Sequence, residues 1–177
     1  MRDHSVDPRR VYVGGLSAGA AAAAVMGSAY GDLYAAIGIH SGLACRAATD
    51  LPSALMAMRQ GGGPEAIPRG GSFIPTIVFH GDRATTVHPN NGGRIVRQSI
   101  GATSTKAKVH RGRVPGGHAY TRTLHTDADG RALLEHWEIH GAGHAWSGGS
   151  PAGSYTDPDG PDATREMLRF FLEHSFR

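Results

Sequence analysis

A glycine-serine-glycine turn near the start of the chain constrains the fold more than any other feature. The residues Gly15-Leu16-Ser17-Ala18-Gly19 follow an apolar stretch, Val11–Val13, and open an alanine-rich stretch without proline, Ala18–Met26. The pattern G-x-S-x-G between a strand and a helix is typical of a nucleophile elbow, a strained turn that lifts a serine hydroxyl above a sheet. Glycines at 15 and 19 would let strand and helix pack closely. The sequence therefore predicts Ser17 as a nucleophile and the Ala18 N–H as an oxyanion donor.

Other glycine-rich loops fit this segment less well. A phosphate-binding loop requires Lys and then Ser or Thr after its last glycine, whereas Ala20-Ala21 follow Gly19. The glycine spacing also differs from that of a dinucleotide-binding fingerprint. The remaining alternative is a turn that only joins a strand to a helix.

Alternating apolar runs and helical stretches predict an α/β fold with a mostly parallel sheet. The predicted strands are Val11–Val13, Ala35–Ile39, Thr76–Phe79 and Leu133–Ile139. The predicted helices are residues 18 to about 30, Leu51–Arg59, Asn91–Ser99 and a last helix that Asp162 caps. The expected apolar face of this last helix consists of Met167, Leu168, Phe171 and Leu172. A hairpin about residues 127–130 is also expected, pairing residues 108–124 with the last strand.

Length, charge and cysteine content exclude several classes of protein. The 177 residues suit a single domain spanning 1–177. The net charge is +3 and the basic residues are scattered, which favours a solvated basic surface over nucleic-acid binding. No apolar run approaches the roughly 20 residues that cross a bilayer, so we expect no membrane partner. The single cysteine, Cys45, excludes an internal disulfide framework.

A serine nucleophile needs a base, and eleven histidines compete for that role. In α/β-hydrolases the order along the chain is Ser, then acid, then His. His144 lies in the glycine-flanked loop H-G-A-G-H-A-W-S-G-G after the last predicted strand. A loop at the carboxyl end of a parallel sheet can place an imidazole over the serine. The sequence therefore predicts His144 as the base, the alternative being a surface histidine.

Two metal-site alternatives are weaker. His136, His140 and His144 would share one face of a helix, but Gly141 and Gly143 argue against a helix there. The loop with Asp157, Asp159 and Asp162 lacks an EF-hand glutamate and contains prolines, so a turn and a helix cap are favoured. We expect neither a metal nor a cofactor.

Four motifs together resemble the polyhydroxybutyrate depolymerase family of esterases. They are G-L-S-A-G-A, P-T-I-V-F-H-G-D-R-A-T-T-V-H-P-N-N, G-A-G-H-A-W-S-G-G and G-P-D-A-T-R-E-M-L-R-F-F, which span Gly15 to Phe171. The resemblance implies an α/β-hydrolase related to feruloyl and acetylxylan esterases. It implies hydrolysis of poly- or oligo-hydroxyalkanoates or similar short esters, and an extracellular location, although the first residues contain no signal peptide.

The sequence departs from this family in two ways. Members of the family it resembles carry a further segment before the elbow, which supplies the first strands and a second oxyanion donor. We therefore expect a partial, N-terminally truncated domain whose exposed sheet edge invites self-association. The family acid follows the His-Gly strand end at a position that is Ala84 here, and Asp82 is the candidate substitute. The alternatives to an active polyester hydrolase are a feruloyl- or acetylxylan-type esterase, an impaired or inactive fragment, and a binding or assembly module.

Overall fold

One six-stranded sheet organises the chain. The computed structural model describes residues 5–62 and 73–176. The sheet strands are β1 (Tyr12–Leu16), β2 (Ala36–His40), β3 (Thr76–Gly81), β4 (Lys106–Arg113), β5 (Ala119–Thr126) and β6 (Ala132–His140). A separate two-stranded ribbon pairs β7 (Trp146–Ser147) with β8 (Thr156–Asp157).

The sheet is mixed, with the order β1-β2-β3-β6-β5-β4. The strands β1, β2, β3 and β6 run parallel, whereas β5 and β4 are antiparallel to their neighbours. The four predicted strands are therefore adjacent and parallel, as the sequence indicated. The hairpin about residues 127–130 is confirmed between β5 and β6. A second hairpin, β4–β5, splits the region that the sequence suggested as one strand.

All four predicted helices form, nearly at their predicted bounds. They are α1 (Ala18–Ala29), α2 (Leu51–Gln60), α3 (Asn90–Ile100) and α4 (Ala163–Leu172). Asp162 caps α4 by accepting a hydrogen bond from the Arg165 N–H at 2.9 Å. The predicted apolar face of α4 is partly wrong, because Leu168 and Leu172 are more than half exposed. The buried stripe is instead Ala163, Met167 and Phe170, three positions that follow helical spacing.

Each face of the sheet carries its own core. Helix α4 covers one face, where Met167 and Phe170 pack on Phe79, Trp137 and neighbouring residues. Helices α1 and α3 cover the other face, where apolar side chains of α1, α3, β2 and β3 form a second cluster. Because β1, β2, β3 and β6 run parallel, the loops that follow them all leave from the same carboxyl edge of the sheet.

The two outer strands differ in chemistry. Strand β1 pairs only with β2 among the strands that the structure describes, and its sequence is uncharged. Strand β4 is exposed and carries Lys106, Lys108, Arg111 and Arg113.

Within residues 5–62 and 73–176, every helix is too short or too polar to cross a lipid bilayer.

Candidate active site

Ser17 lies on a strained turn between β1 and α1. Its backbone φ is 56° and its ψ is −115°, in the positive-φ region that serine rarely adopts. The Ser17 N–H donates to the His40 carbonyl at 2.9 Å, which fastens the turn to the end of β2. Ser17 stands at the N-cap position of α1, yet its side chain makes no capping hydrogen bond. The hydroxyl is therefore not committed to stabilising the helix.

The two glycines of the motif have different roles. A Cβ on Gly15 would lie 2.5 Å from the backbone carbon of Gly19, so only glycine fits the strand end. A Cβ on Gly19 would meet nothing within 4 Å. The expectation that both small residues permit close packing is thus confirmed for Gly15 and wrong for Gly19.

The first turn of α1 suits a developing negative charge. The helix begins at Ala18, directly after the serine, and its first turn contains no acidic side chain. The first N–H groups of a helix have no partner within the helix and carry a partial positive charge. The role of the Ala18 N–H as an oxyanion donor stays a prediction that this arrangement permits.

His144 lies in the loop after β6, and this loop is fixed to the loop after β3. The Asp82 N–H donates to the Ile139 carbonyl and the Arg83 N–H donates to the Ala142 carbonyl, both at 3.0 Å. A Cβ on Gly81 would lie 2.6 Å from the Gly143 carbonyl oxygen, so the two loops are in close contact. The segment that ends at Ala84 therefore packs against the residues that directly precede His144.

The Nδ1 atom of His144 is buried, and no hydrogen-bond partner reaches it from the described parts of the chain. Burial lowers the pKa of this imidazole below its ordinary value of 6.5. The resemblance implies that an acid holds this nitrogen from the position that is Ala84 here, and Ala84 is 4% exposed. A neutral His144 can accept a proton, but no described residue bonds to Nδ1 to fix its tautomer.

Asp82 makes no hydrogen bond to His144 Nδ1, so its role as the substitute acid stays a prediction that this geometry does not support. Its Oδ2 accepts a hydrogen bond from His140 Nδ1 at 3.0 Å, and its Oδ1 accepts one from the Gly141 N–H at 2.7 Å. Burial raises the pKa of Asp82, but the bonds from Gly141 and His140 outweigh burial, so the pKa is lowered. Both carboxylate oxygens of Asp82 therefore already accept hydrogen bonds at the end of β6, before the chain continues to His144.

His40 links the serine turn to the histidine loop, and sequence reasoning missed it. Its carbonyl accepts the Ser17 N–H, and its Nε2 accepts the Ser147 N–H at 3.0 Å. The ring also stacks on Trp146 with centroids 5.2 Å apart. Because Nε2 accepts, the proton is on Nδ1, which donates to Ser41 Oγ at 3.1 Å. The signal available in the sequence was a histidine at the end of a buried strand.

Ser17 and His144 therefore lie at the same carboxyl edge of the sheet. Ser17 follows β1 and His144 follows β6, and His40 contacts both segments. No hydrogen bond joins Ser17 Oγ to the His144 ring in this structure's described residues, and their pairing as nucleophile and base stays a prediction.

The residues of the weaker metal alternatives serve other purposes. His136 and His140 lie on strand β6 rather than on a helix. Asp157 accepts a hydrogen bond from His118 Nε2 at 3.0 Å, and Asp162 caps α4. Across residues 5–62 and 73–176, no three His, Cys, Asp or Glu side chains converge as metal ligands would.

A cavity of about 600 Å³ lies away from the serine. Its lining includes Gly27 and Gly31 near the end of α1, Thr76 at the start of β3, and Gly101 after α3. These positions mark the amino edge of the parallel strands, opposite the edge that carries Ser17.

Comparison with known proteins decides the family. The family model described as esterase PHB depolymerase matches residues 1–106. The chain belongs to this family. It is 33% identical over 153 residues to poly(3-hydroxyalkanoate) depolymerase C of Paucimonas lemoignei, covering 80% of this chain and 36% of that protein. The chain thus spans about a third of the length of the relative that it matches.

Solved structures confirm the α/β-hydrolase fold of this PHB depolymerase family member. The acetyl xylan esterase from Aspergillus awamori matches with a TM-score of 0.69 and 19% identity, over 97% of this chain and 62% of that chain. A PHB depolymerase complexed with an R3HB trimer matches with a TM-score of 0.66 and 19% identity, over 94% and 52% of the two chains. At this level of identity the likeness shows the fold alone.

Proposed function

We propose that the chain is a serine carboxylester hydrolase that acts on poly- or oligo-hydroxyalkanoates or similar short-chain esters. The observation that carries the proposal is Ser17 at φ 56° between β1 and α1, with its hydroxyl not used as a helix cap. Membership of the PHB depolymerase family supports the reaction class, and the names of the relatives support the substrate class. Secretion, which the resemblance implies, belongs to the same proposal.

In the proposed reaction Ser17 Oγ attacks the ester carbonyl carbon. Its proton passes to His144, whose Nδ1 is buried, so Nε2 is the nitrogen that receives it. The tetrahedral oxyanion lies at the start of α1, where the Ala18 N–H donates. His144 then protonates the leaving alkoxide. A water molecule, deprotonated by His144, attacks the acyl group on Ser17 and releases the carboxylic acid.

A second candidate is an impaired hydrolase of the same fold. It is favoured by the alanine at position 84 and by the buried Nδ1 of His144, to which no described residue hydrogen-bonds. Loss of the acid of a catalytic triad typically lowers kcat by about 10⁴, so the remaining activity would be small.

Covalent labelling distinguishes the two candidates. A fluorophosphonate probe labels a serine only where its hydroxyl is activated, and we expect the label on the tryptic peptide Val11–Arg46. Ser17→Ala should remove that label, whereas Ser28→Ala, at the far end of α1, should retain it. Hydrolysis of p-nitrophenyl butyrate and of 3-hydroxybutyrate oligomers should fall in parallel in Ser17→Ala. A peptide that stays unlabelled in the parent chain would support the impaired hydrolase.

A further inference from the structure

A complete hydroxyl–imidazole–carboxylate relay lies outside the Ser17 site. Thr121 Oγ1 and His140 Nε2 are 2.8 Å apart, and His140 Nδ1 is 3.0 Å from Asp82 Oδ2. The three side chains come from β5, the end of β6 and the loop after β3. A nucleophile within reach of a base that a third group orients is the arrangement of covalent acyl transfer.

The chemistry of the partners fixes the direction of each hydrogen bond. An ionised carboxylate only accepts, so His140 Nδ1 carries the proton and donates to Asp82. In the neutral imidazole the lone pair of His140 Nε2 then accepts from the Thr121 hydroxyl, which is the orientation needed to withdraw its proton. Asp82 is itself held by the Gly141 N–H at 2.7 Å. His140 thus has an orienting carboxylate, whereas no described carboxylate bonds to His144 Nδ1.

The relay is accessible to solutes and separate from Ser17. The side chains of His140 and Asp82 are both 43% exposed. Strand β5 is four strands away from β1 in the sheet. With about 4.8 Å between neighbouring strands, Thr121 lies on the order of 19 Å from the strand that carries Ser17.

The strand beside Thr121 supplies a positive charge. Arg111 on β4 is the register partner of Thr121, so both side chains project from the same face at neighbouring positions. An exposed guanidinium on the neighbouring strand favours negative charge that develops on the carbonyl oxygen of an ester bound at Thr121.

We propose that Thr121, His140 and Asp82 form a second acyl-transfer site that accepts small activated esters such as aryl acetates. Thr121 Oγ1 bonds to the carbonyl carbon while its proton moves to His140 Nε2. The aryloxide leaves and takes that proton, which gives an acyl-threonine and a phenol. Water then attacks the acyl group, gives a proton to His140, and releases the carboxylic acid as the proton returns to Thr121.

The test uses the 177-residue chain carrying Ser17→Ala, which removes the first site. After exposure to a fluorophosphonate probe, the label should appear on the tryptic peptide Val114–Arg122 and map to Thr121 rather than Tyr120. Thr121→Val, nearly isosteric, should abolish it. His140→Gln and Asp82→Asn should each slow labelling at least about tenfold, since a positioned base contributes about 10²–10⁴.

A matched control is Thr123→Val, two residues along the same face of β5, which should leave labelling of Thr121 unchanged. Hydrolysis of p-nitrophenyl acetate in the Ser17→Ala chain should follow the same order among the variants. An unlabelled Thr121, or labelling that His140→Gln does not slow, would overturn the proposal. Neither result bears on the Ser17 peptide, so the two sites are judged independently.

Discussion

Asp82 accepts a hydrogen bond from His140 Nδ1 at 3.0 Å. His140 lies four residues before His144, the histidine that the sequence motif predicts as the base. The nearest carboxylate in sequence to the family acid position is therefore used elsewhere. His144 Nδ1 is left buried, and no described residue pairs with it. The loop that ends at Ala84 nevertheless packs against the loop that leads to His144. Among the described residues, the site thus has its proposed nucleophile and base without a hydrogen-bonded group that orients the base.

The first prediction restores that group. Ala84→Asp should place a carboxylate beside His144, fix its tautomer and stabilise the imidazolium that forms during the reaction. We expect hydrolysis of p-nitrophenyl butyrate to rise about 10²–10⁴-fold if the missing acid limits the rate. Ala84→Asn has nearly the same shape without the charge and should give no such rise. Equal rates in the two variants would show that the charge at position 84 is irrelevant, and circular dichroism would check that both fold.

The second prediction concerns the serine turn. Gly15→Ala would bring a Cβ to 2.5 Å from the Gly19 backbone and should destabilise the elbow and abolish labelling of Ser17. Gly19→Ala meets no atom within 4 Å and replaces a glycine inside a helix, so it should stabilise the chain by about 0.5–1 kcal/mol. Urea unfolding of the two variants measures the difference. Destabilisation by Gly19→Ala would contradict the assigned geometry.

Local patterns predicted the elements well, whereas partners distant in sequence were missed. The elbow, the bounds of α1 and the loop of His144 follow from runs of neighbouring residues, and all lie where the patterns indicated. The partner of Asp82 is 58 residues away and depends on how β3 and β6 pair, which no local pattern encodes. The exposure of Leu168 likewise depends on which side of α4 meets the sheet.

The third prediction is a loss of stability in mild acid. Burial is the main reason that the pKa falls to about 3 for His40 and to about 4 for His80 and His136. In the unfolded chain these imidazoles have their ordinary pKa of about 6.5, so the unfolded state binds more protons between about pH 6.5 and pH 4. The free energy of unfolding should therefore decrease as the pH falls through this window, by about 1.4 kcal/mol per pH unit for each group.

Urea midpoints measured between pH 7 and pH 4 check this dependence. His136→Gln should lower the number of protons taken up on unfolding by about one, and therefore flatten the slope. If the free energy of unfolding did not change between pH 7 and pH 4, His40, His80 and His136 would be protonated in the folded chain as well.

The fourth prediction concerns a buried carboxylate on the α4 face of the sheet. Glu135 has no exposed side-chain surface and accepts hydrogen bonds from Arg122, Arg169 and Trp137 Nε1. Burial raises its pKa, but the bonds from the two arginines outweigh burial and the pKa is lowered. Glu135→Gln would remove the buried negative charge that Arg122 and Arg169 share, at a cost of about 3 kcal/mol, although Arg169 keeps its ion pairs with Glu166 and Glu173.

The matched control is Glu166→Gln, which removes a more exposed partner of Arg169 on the same helix. Glu166 is partly exposed, and an ion pair near the surface contributes up to about 1 kcal/mol, so this variant should unfold close to the parent in thermal and urea melts. Similar losses in the two variants would mean that burial of Glu135 does not decide its contribution.

The last prediction is that the chain self-associates through β1. The Val11 carbonyl accepts from the Ala35 N–H, and the Ser17 N–H donates to His40, so these alternate residues face β2. The backbone groups of Tyr12, Gly14 and Leu16 therefore face away from the sheet. Lysine and arginine protect the opposite edge at β4, whereas β1 has no charge, and an uncharged edge pairs readily with another chain.

Sedimentation velocity over a range of concentrations should show this association. Val11→Lys introduces a charge at the start of this edge, at a side chain that belongs to neither core cluster, and should shift the chain toward monomer, with circular dichroism confirming its fold. Val109→Lys adds the same charge to the already basic strand β4, where Val109 is 51% exposed, and should change the distribution little. A chain that stays monomeric at high concentration, or that responds equally to both substitutions, would exclude β1 as the contact, because only pairing at that edge makes the position of the added charge matter.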